Sequence, residues 1–211
     1  MAELKKLYDA ILNGDNKAAV AITKEALAEN ADPLEMVTGY MVPAMDEVGK
    51  RFECEEYFVP ELLLAARAMK GALALIRPLL AERGAEPLGR VAIGTVKGDL
   101  HDIGKNLIAS MLEGGGFEII DLGADVTPER FVQAVKEKNA NLVCLSALLT
   151  VTMPSMKTTI EALRAAGVRD RVKVLIGGAP VTQQYADEIG ADGYGSSASS
   201  AVPLARRALG K

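Results

Sequence analysis

Two hydrophobic periods divide the chain. Over residues 1 to about 83, apolar positions recur at three- and four-residue steps, the signature of helices with one buried face. The spacing predicts helices over 3–12, 16–29, 33–51 and 60–82. In the last of these, Leu62, Ala66, Met69, Leu73, Ile76 and Leu80 form a single stripe. Asn13-Gly14-Asp15 and Asn30-Ala31-Asp32-Pro33 supply turn and cap residues between segments. Four helices joined by short turns predict an antiparallel four-helix bundle over residues 1–83. Pro43 falls inside the third and should kink it. Residues 84–89, within ERGAEPLG, read as a linker.

From Arg90 the period shortens. RVAIGTV, FEIIDLG, NLVCLSAL, RVKVLIGG and ADGYG are short β-rich runs. Helical stretches follow them, starting near Asp102, Thr127, Thr152, Val181 and Ser197. Five β/α units in succession predict an α/β domain over 90–211, with a parallel sheet covered on both faces. The flavodoxin-like strand order 2-1-3-4-5 places its switch point between strands 1 and 3, where open α/β sheets bind ligands. The loop after strand 1 is GDLHDIG, and strand 3 ends at Ser146, Leu148 and Thr150. His101 and Ser146 should therefore be spatial neighbours. Strand 4 ends in Gly177-Gly178 and strand 5 in Gly193-Tyr194-Gly195, where missing side chains let something approach the backbone.

Composition narrows the function classes. The 211 residues are 49% hydrophobic and 25% charged, with net charge −4. That balance gives no electrostatic reason to expect nucleic acid or an anionic membrane surface. No apolar run is long enough to span a bilayer. The acid-bearing amphipathic N-terminus does not read as a signal peptide. Cys54 and Cys144 share no motif, which fits a cytoplasmic protein with reduced thiols.

His101 is the only histidine, and it stands in the loop at the switch point. A phosphate-binding reading fails on spacing: five residues separate Gly98 from Gly104, and Asn106 stands where Ser or Thr is needed. A zinc site needs three or four ligands, which one histidine and two separated cysteines cannot supply. General acid–base catalysis by His101 has no evident nucleophile or second base. Two readings remain: a structural histidine at a helix start, or a single ligand to a metal that brings its own macrocycle. In the second, a carboxylate two residues away could hold the other ring nitrogen.

The motif Asp99-Leu100-His101-Asp102-Ile103-Gly104, then 41 residues, Ser146-Ala147-Leu148, then 28 residues, Gly177-Gly178 resembles that of the cobalamin-binding corrinoid proteins. These include the cap and cobalamin domains of cobalamin-dependent methionine synthase and the corrinoid subunits of methyltransferase systems. FVPELLLAARAM, residues 58–69, resembles the helical cap of the same family.

The resemblance implies a cobalamin or related corrinoid, in methylated, hydroxo or cobalt(II) form. It would be bound base-off, with His101 as the lower axial ligand to cobalt. Gly98, Asp99, Leu100, Asp102 and Gly104 would border the ring, and Ser146 would extend the Asp99–His101 relay. The nucleotide tail would pass Ser146, Leu148, Thr150 and Gly177-Gly178, with Gly193, Tyr194 and Ala198 closing its end. Phe58 and Leu62 would touch the upper face.

Plainer roles compete at several of these positions. Asp102 could cap the following helix, Tyr194 could be core, and Met41, Met45 and Met69 suit core filling. The implied activity is methyl carriage between cobalt(I) and methyl-cobalt(III). The partners would be a donor methyltransferase, an acceptor methyltransferase and a reductive activator. A cobalamin sensor and the small subunit of an adenosylcobalamin mutase are alternatives. The missing DNA-binding pattern argues against the first, and the helical half against the second.

Overall fold

The computed structural model describes residues 4–84 and 86–211. Residue 3, at the start of the first expected helix, and Ala85, in the expected linker, lie outside the described residues. The chain forms two compact units. One takes in the chain up to Pro87 together with Ser110–Gly116, and the other Leu88–Ala109 with Phe117–Lys211.

The first unit is helical. Its elements are α1 (Leu4–Leu12), α2 (Asn16–Ala28), α3 (Pro33–Glu35), α4 (Val42–Glu53) and α5 (Val59–Glu82). The Asp15 side chain caps α2 by accepting the Ala18 N–H at 2.9 Å. Helix α2 packs on α1 and α5, and α1 on α4. Between α3 and α4 the helix widens to π geometry over Met36–Met41. Pro43, which has no N–H to donate, follows directly. One turn before Pro43 the helix relaxes to π geometry, and the Val42 N–H reaches back to Val37 O. Met36, Met41, Met45 and Met69 are all buried, in keeping with a filling role.

The second unit is a five-stranded parallel sheet of order β2-β1-β3-β4-β5, as its alternating pattern predicts. The strands are β1 (Arg90–Thr95), β2 (Glu118–Asp121), β3 (Leu142–Ser146), β4 (Lys173–Gly177) and β5 (Gly193–Gly195). Between and after them run α6 (Ile103–Gly114), whose part from Ser110 on belongs to the first unit, α7 (Pro128–Glu137), α8 (Pro154–Ala165), α9 (Gln183–Ile189) and α10 (Ala198–Ala208). Ser197 caps α10 by accepting the Ser200 N–H at 3.1 Å, and Thr182 caps α9 in the same way through Tyr185 N–H.

Strand alternation sends Ala92, Val143, Leu145, Ala147, Val174 and Ile176 into one apolar core with Phe131, Met156 and Ile160. Tyr194 packs against that core. The opposite face of the sheet carries a separate apolar cleft.

Candidate functional site

The site begins with one local pairing. Asp99 and His101 lie two residues apart in the loop between β1 and α6. Asp99 Oδ1 accepts the His101 backbone N–H at 3.1 Å and is 2.8 Å from His101 Nδ1. A carboxylate only accepts, so Nδ1 carries a proton, and in the neutral imidazole this tautomer leaves the Nε2 lone pair free. The Asp99 side chain is fully buried, while the His101 side chain is 51% exposed.

Asp99 Oδ2 is held from a second element. The turn after β3 donates Leu148 N–H at 2.8 Å, Leu149 N–H at 3.4 Å and the Thr152 hydroxyl at 2.7 Å. Burial alone would push this carboxyl up. The donors at Leu148, at Thr152 and at the backbone N–H and ring Nδ1 of His101 outweigh it and hold Asp99 well below the usual carboxylate range.

The rest of the loop is pinned as well. Thr95 Oγ1, fully buried, donates to His101 O at 2.8 Å. Ser155 Oγ donates to Lys97 O at 3.0 Å. Asp102 closes the first turn of α6, accepting Asn106 N–H on its carbonyl at 2.8 Å and the Asn106 side chain on Oδ2 at 3.1 Å. The Asp102 carboxylate thus meets the Asn106 side chain rather than a backbone N–H of the first turn.

The relay differs from the expected one. Thr152, not Ser146, bonds Asp99. Ser146 ends β3 with its side chain on the other face, lining the apolar cleft with Ile93, Cys144, Leu175, Gly177 and Leu204. The Thr152 hydroxyl also lies 2.8 Å from Leu149 O. Its single proton therefore has two acceptors.

The remaining expected residues separate in the same way. Gly177 borders the cleft, and a Cβ there would sit 3.0 Å from Gly195 O. Gly178 has φ +137, and a side chain would run into Ala147 O. Gly193 and Ala198 are buried beside Leu204 and at the start of α10. Tyr194 faces the opposite core, so strand alternation excludes it from the cleft. Leu148 and Thr150 are exposed in the turn after β3. Gly98 takes the left-handed region at φ +86. At Gly104 a Cβ would meet nothing within 4 Å.

In the helical unit, Phe58 is 62% exposed, but Leu62 is fully buried. Leu62 therefore offers no surface here. Val59, Leu63 and Leu64 are the exposed apolar residues near it.

Sequence reasoning missed Thr152 and Thr95, and of the apolar collar around His101 it named only Leu100 and Leu148. Leu100, Ile103, Leu148, Leu149 and Val151 are all large, apolar and exposed. That is unusual for a loop region and marks a surface made to be covered. It also missed Lys105, which is 2% exposed and places Nζ 2.6 Å from both Asp121 oxygens. Lys105 is a buried tie, unavailable to phosphate. Cys144 lines the cleft, and burial pushes its thiol up to about 12.

A planar macrocycle with a long tail suits these features. The collar and the open space at Gly104 would take a flat apolar ring. Nε2 would supply one nitrogen donor. The cleft beyond Ser146 would take the tail. No group of three or more metal-ligating side chains occurs among the described residues, so the other donors would have to come from the ring. No helix among the described residues is long and apolar enough to cross a membrane.

Comparison with known proteins agrees. Residues 89–202 match one B12 binding domain family, and residues 3–77 match another. A trimethylamine corrinoid protein of Methanosarcina barkeri is 45% identical over 208 residues, covering 98% of this chain and 96% of that one. A crystal structure of a cobalamin-binding protein from Desulfitobacterium hafniense DCB-2 aligns with TM-score 0.79 at 34% identity, over 99% of both chains. The methanol:cobalamin methyltransferase complex of Methanosarcina barkeri aligns with TM-score 0.85 at 26% identity, over 98% of this chain and 79% of that one. Carrying both B12 binding domains over nearly its whole length, this chain belongs to the cobalamin-binding corrinoid protein family.

Proposed function

We propose that the chain is a methyl-carrying corrinoid subunit that binds its cofactor base-off, with His101 Nε2 on the lower face of cobalt. The observation that carries this is the Asp99–His101 pair. A buried carboxylate, locked by donors from a second element, fixes the tautomer of the only histidine and leaves Nε2 for a metal. When bound, the corrinoid supplies a cobalt centre that takes a methyl group at one enzyme and yields it at another.

The protein's part is to hold and tune. Asp99 sets the tautomer and the ring plane of His101. Leu100, Ile103, Leu148, Leu149 and Val151 exclude water beneath the ring. Ser146, Gly177 and Gly195 make room for the tail. Thr152 gives the relay its end. Its proton can sit toward Asp99 Oδ2 or toward Leu149 O, and in the first position it helps to keep Asp99 a carboxylate beside His101.

The relatives' names support methyl transfer as the setting. One of them is a methanol:cobalamin methyltransferase complex, and the partners of this chain would be a donor methyltransferase, an acceptor methyltransferase and a reductive activator.

The test is reconstitution with hydroxocobalamin, reduction to cobalt(II) and electron paramagnetic resonance. The wild-type protein should show splitting from one protein nitrogen. His101→Ala should keep the corrinoid and lose the splitting. Persistence of the splitting in His101→Ala would sink the assignment. Incubation with candidate methylamine and methanol methyltransferases should then show which one methylates the bound corrinoid.

A further inference from the structure

We infer that Asp125, in the loop between β2 and α7, is a positioning residue for His101. It would act by clamping the backbone of the β1–α6 loop from the side opposite Thr152. This rests on His101 being the cobalt ligand.

Two hydrogen bonds carry the inference. Asp125 Oδ1 accepts the Gly98 N–H at 2.7 Å, and the Asp125 N–H donates to Asp99 O at 2.9 Å. One residue therefore brackets Gly98 and Asp99, immediately before His101. Both groups lie beyond the sheet ladder, whose last bond on this side is from Val96 N–H to Ser146 O at 3.0 Å. Asp125 makes both bonds from the left-handed region, at φ +52. That conformation is disfavoured for a residue with a side chain, and Asp and Asn tolerate it best. A strained position that makes two bonds to a ligand loop points to a role in that loop.

The clamp is itself anchored at both ends. On one side, Asp121 binds the buried Lys105 ammonium and accepts the Gly123 N–H at 2.9 Å. Lys105 lies on the first turn of α6, just beyond the His101 motif. On the other side, the Val126 N–H donates to Thr95 O at 2.9 Å and the Thr95 N–H donates to Gly123 O at 3.0 Å. The β2–α7 loop is thus tied to both ends of the segment that carries His101. Asp99 Oδ2 is fixed by the turn after β3. Asp125 fixes the main chain from which that side chain hangs.

Three variants separate the acceptor from the backbone conformation. Asp125→Asn keeps an acceptor and tolerates the left-handed region. Asp125→Gly keeps the conformation without an acceptor. Asp125→Ala keeps neither. The first readout is amide hydrogen exchange at Gly98 in the full chain without corrinoid. Asp125→Gly and Asp125→Ala should speed it about 10-fold, and Asp125→Asn should match the wild type. The second readout is the fraction of cobalt(II) protein with His101 nitrogen splitting after reconstitution with hydroxocobalamin. It should fall in Asp125→Gly and Asp125→Ala and be restored in Asp125→Asn.

Unchanged Gly98 exchange in Asp125→Gly would overturn the clamp. Faster exchange with an undiminished nitrogen-bound fraction would overturn its link to His101. If the wild type shows no nitrogen splitting, the cobalt-ligand reading fails, and the exchange arm still decides the clamp.

Discussion

The loop at residues 97–101 and the start of α5 at residues 58–64 both expose apolar side chains, but they are built by different means. In the loop, contacts arrive from β1, from the β2–α7 loop, from the turn after β3 and from α8. Thr95 holds His101 O, Asp125 holds Gly98 and Asp99, Ser155 holds Lys97 O, and Leu148, Leu149 and Thr152 hold the Asp99 carboxylate. At the start of α5, one side-chain bond suffices. The Glu61 carboxylate accepts the Phe58 N–H at 2.9 Å, and helix phase does the rest. A nitrogen donor that is to bind a metal has to be held to within about 0.2 Å of its bonding distance, whereas an apolar surface only has to be presented. Polar contacts from several elements are needed in the first case and superfluous in the second.

The largest effect that sharpens this contrast lies in the helical half. Leu62 is fully buried. Leu62→Ala should cost about 2–5 kcal/mol of stability, as for buried leucines generally. Urea unfolding of the corrinoid-free protein measures it. A loss below about 0.5 kcal/mol would mean that Leu62 is not packed in solution, and would revive it as a surface residue.

Next come the members of the Asp99 network. Asp99→Asn places an amide NH2 against donors at one end or the other, so at least one bond becomes a clash of donors. Retention of corrinoid nitrogen coordination should fall about 10- to 100-fold. The pH dependence of stability should change in a defined direction. The folded-state pKa of Asp99 lies below its unfolded value of about 3.9. The stabilisation it provides is therefore present above about pH 4 and lost as the pH falls further, through the folded value. The difference in unfolding free energy between wild type and Asp99→Asn should be level at neutral pH and shrink in acid. A difference that stays constant down to pH 2 would show that Asp99 is not held as an ion.

The Thr152 hydroxyl is the next step down. Thr152→Val keeps the shape and removes one donor from a buried carboxylate, which should cost about 1–3 kcal/mol. It should also lower the cobalt(II) fraction with nitrogen splitting. Ser146→Ala should leave both within about 0.5 kcal/mol, because Ser146 lies on the cleft face. Equal effects at the two positions would return Ser146 to the relay.

What was legible in the chain follows the range of the interactions. The β/α alternation reported the sheet order, because hydrophobic period and crossover handedness together leave few alternatives. Asp99 and His101 were legible because they sit two residues apart. Thr152 was not, because the turn after β3 brings it to Asp99 only once the strands are in register, fifty-odd residues along the chain. Reading Ser146 as the relay took a matched spacing for a direction, and strand alternation turned that side chain into the cleft instead. Leu62 carried its own warning. It belongs to the stripe with Met69, Leu73 and Ile76, and a stripe that faces a core does not also face a ligand. Asp125 had no local signal beyond the turn-prone Gly123 before it.

The smallest expected effect closes the comparison. Phe58 precedes α5, and its side chain is 62% exposed. Its backbone N–H is satisfied by Glu61 whatever the side chain is. Phe58→Ala therefore removes exposed apolar surface without opening a cavity or freeing a polar group. Stability should change by less than about 0.5 kcal/mol, against several for Leu62→Ala four residues on. Glu61→Ala, which frees the Phe58 N–H, should cost more than Phe58→Ala, about 0.5–1 kcal/mol. Measuring the three variants side by side by urea unfolding decides whether the start of α5 is held by its cap or by its aromatic ring. If Phe58→Ala proves the most damaging of the three, the ring is packed rather than presented, and the contrast with the 97–101 loop fails.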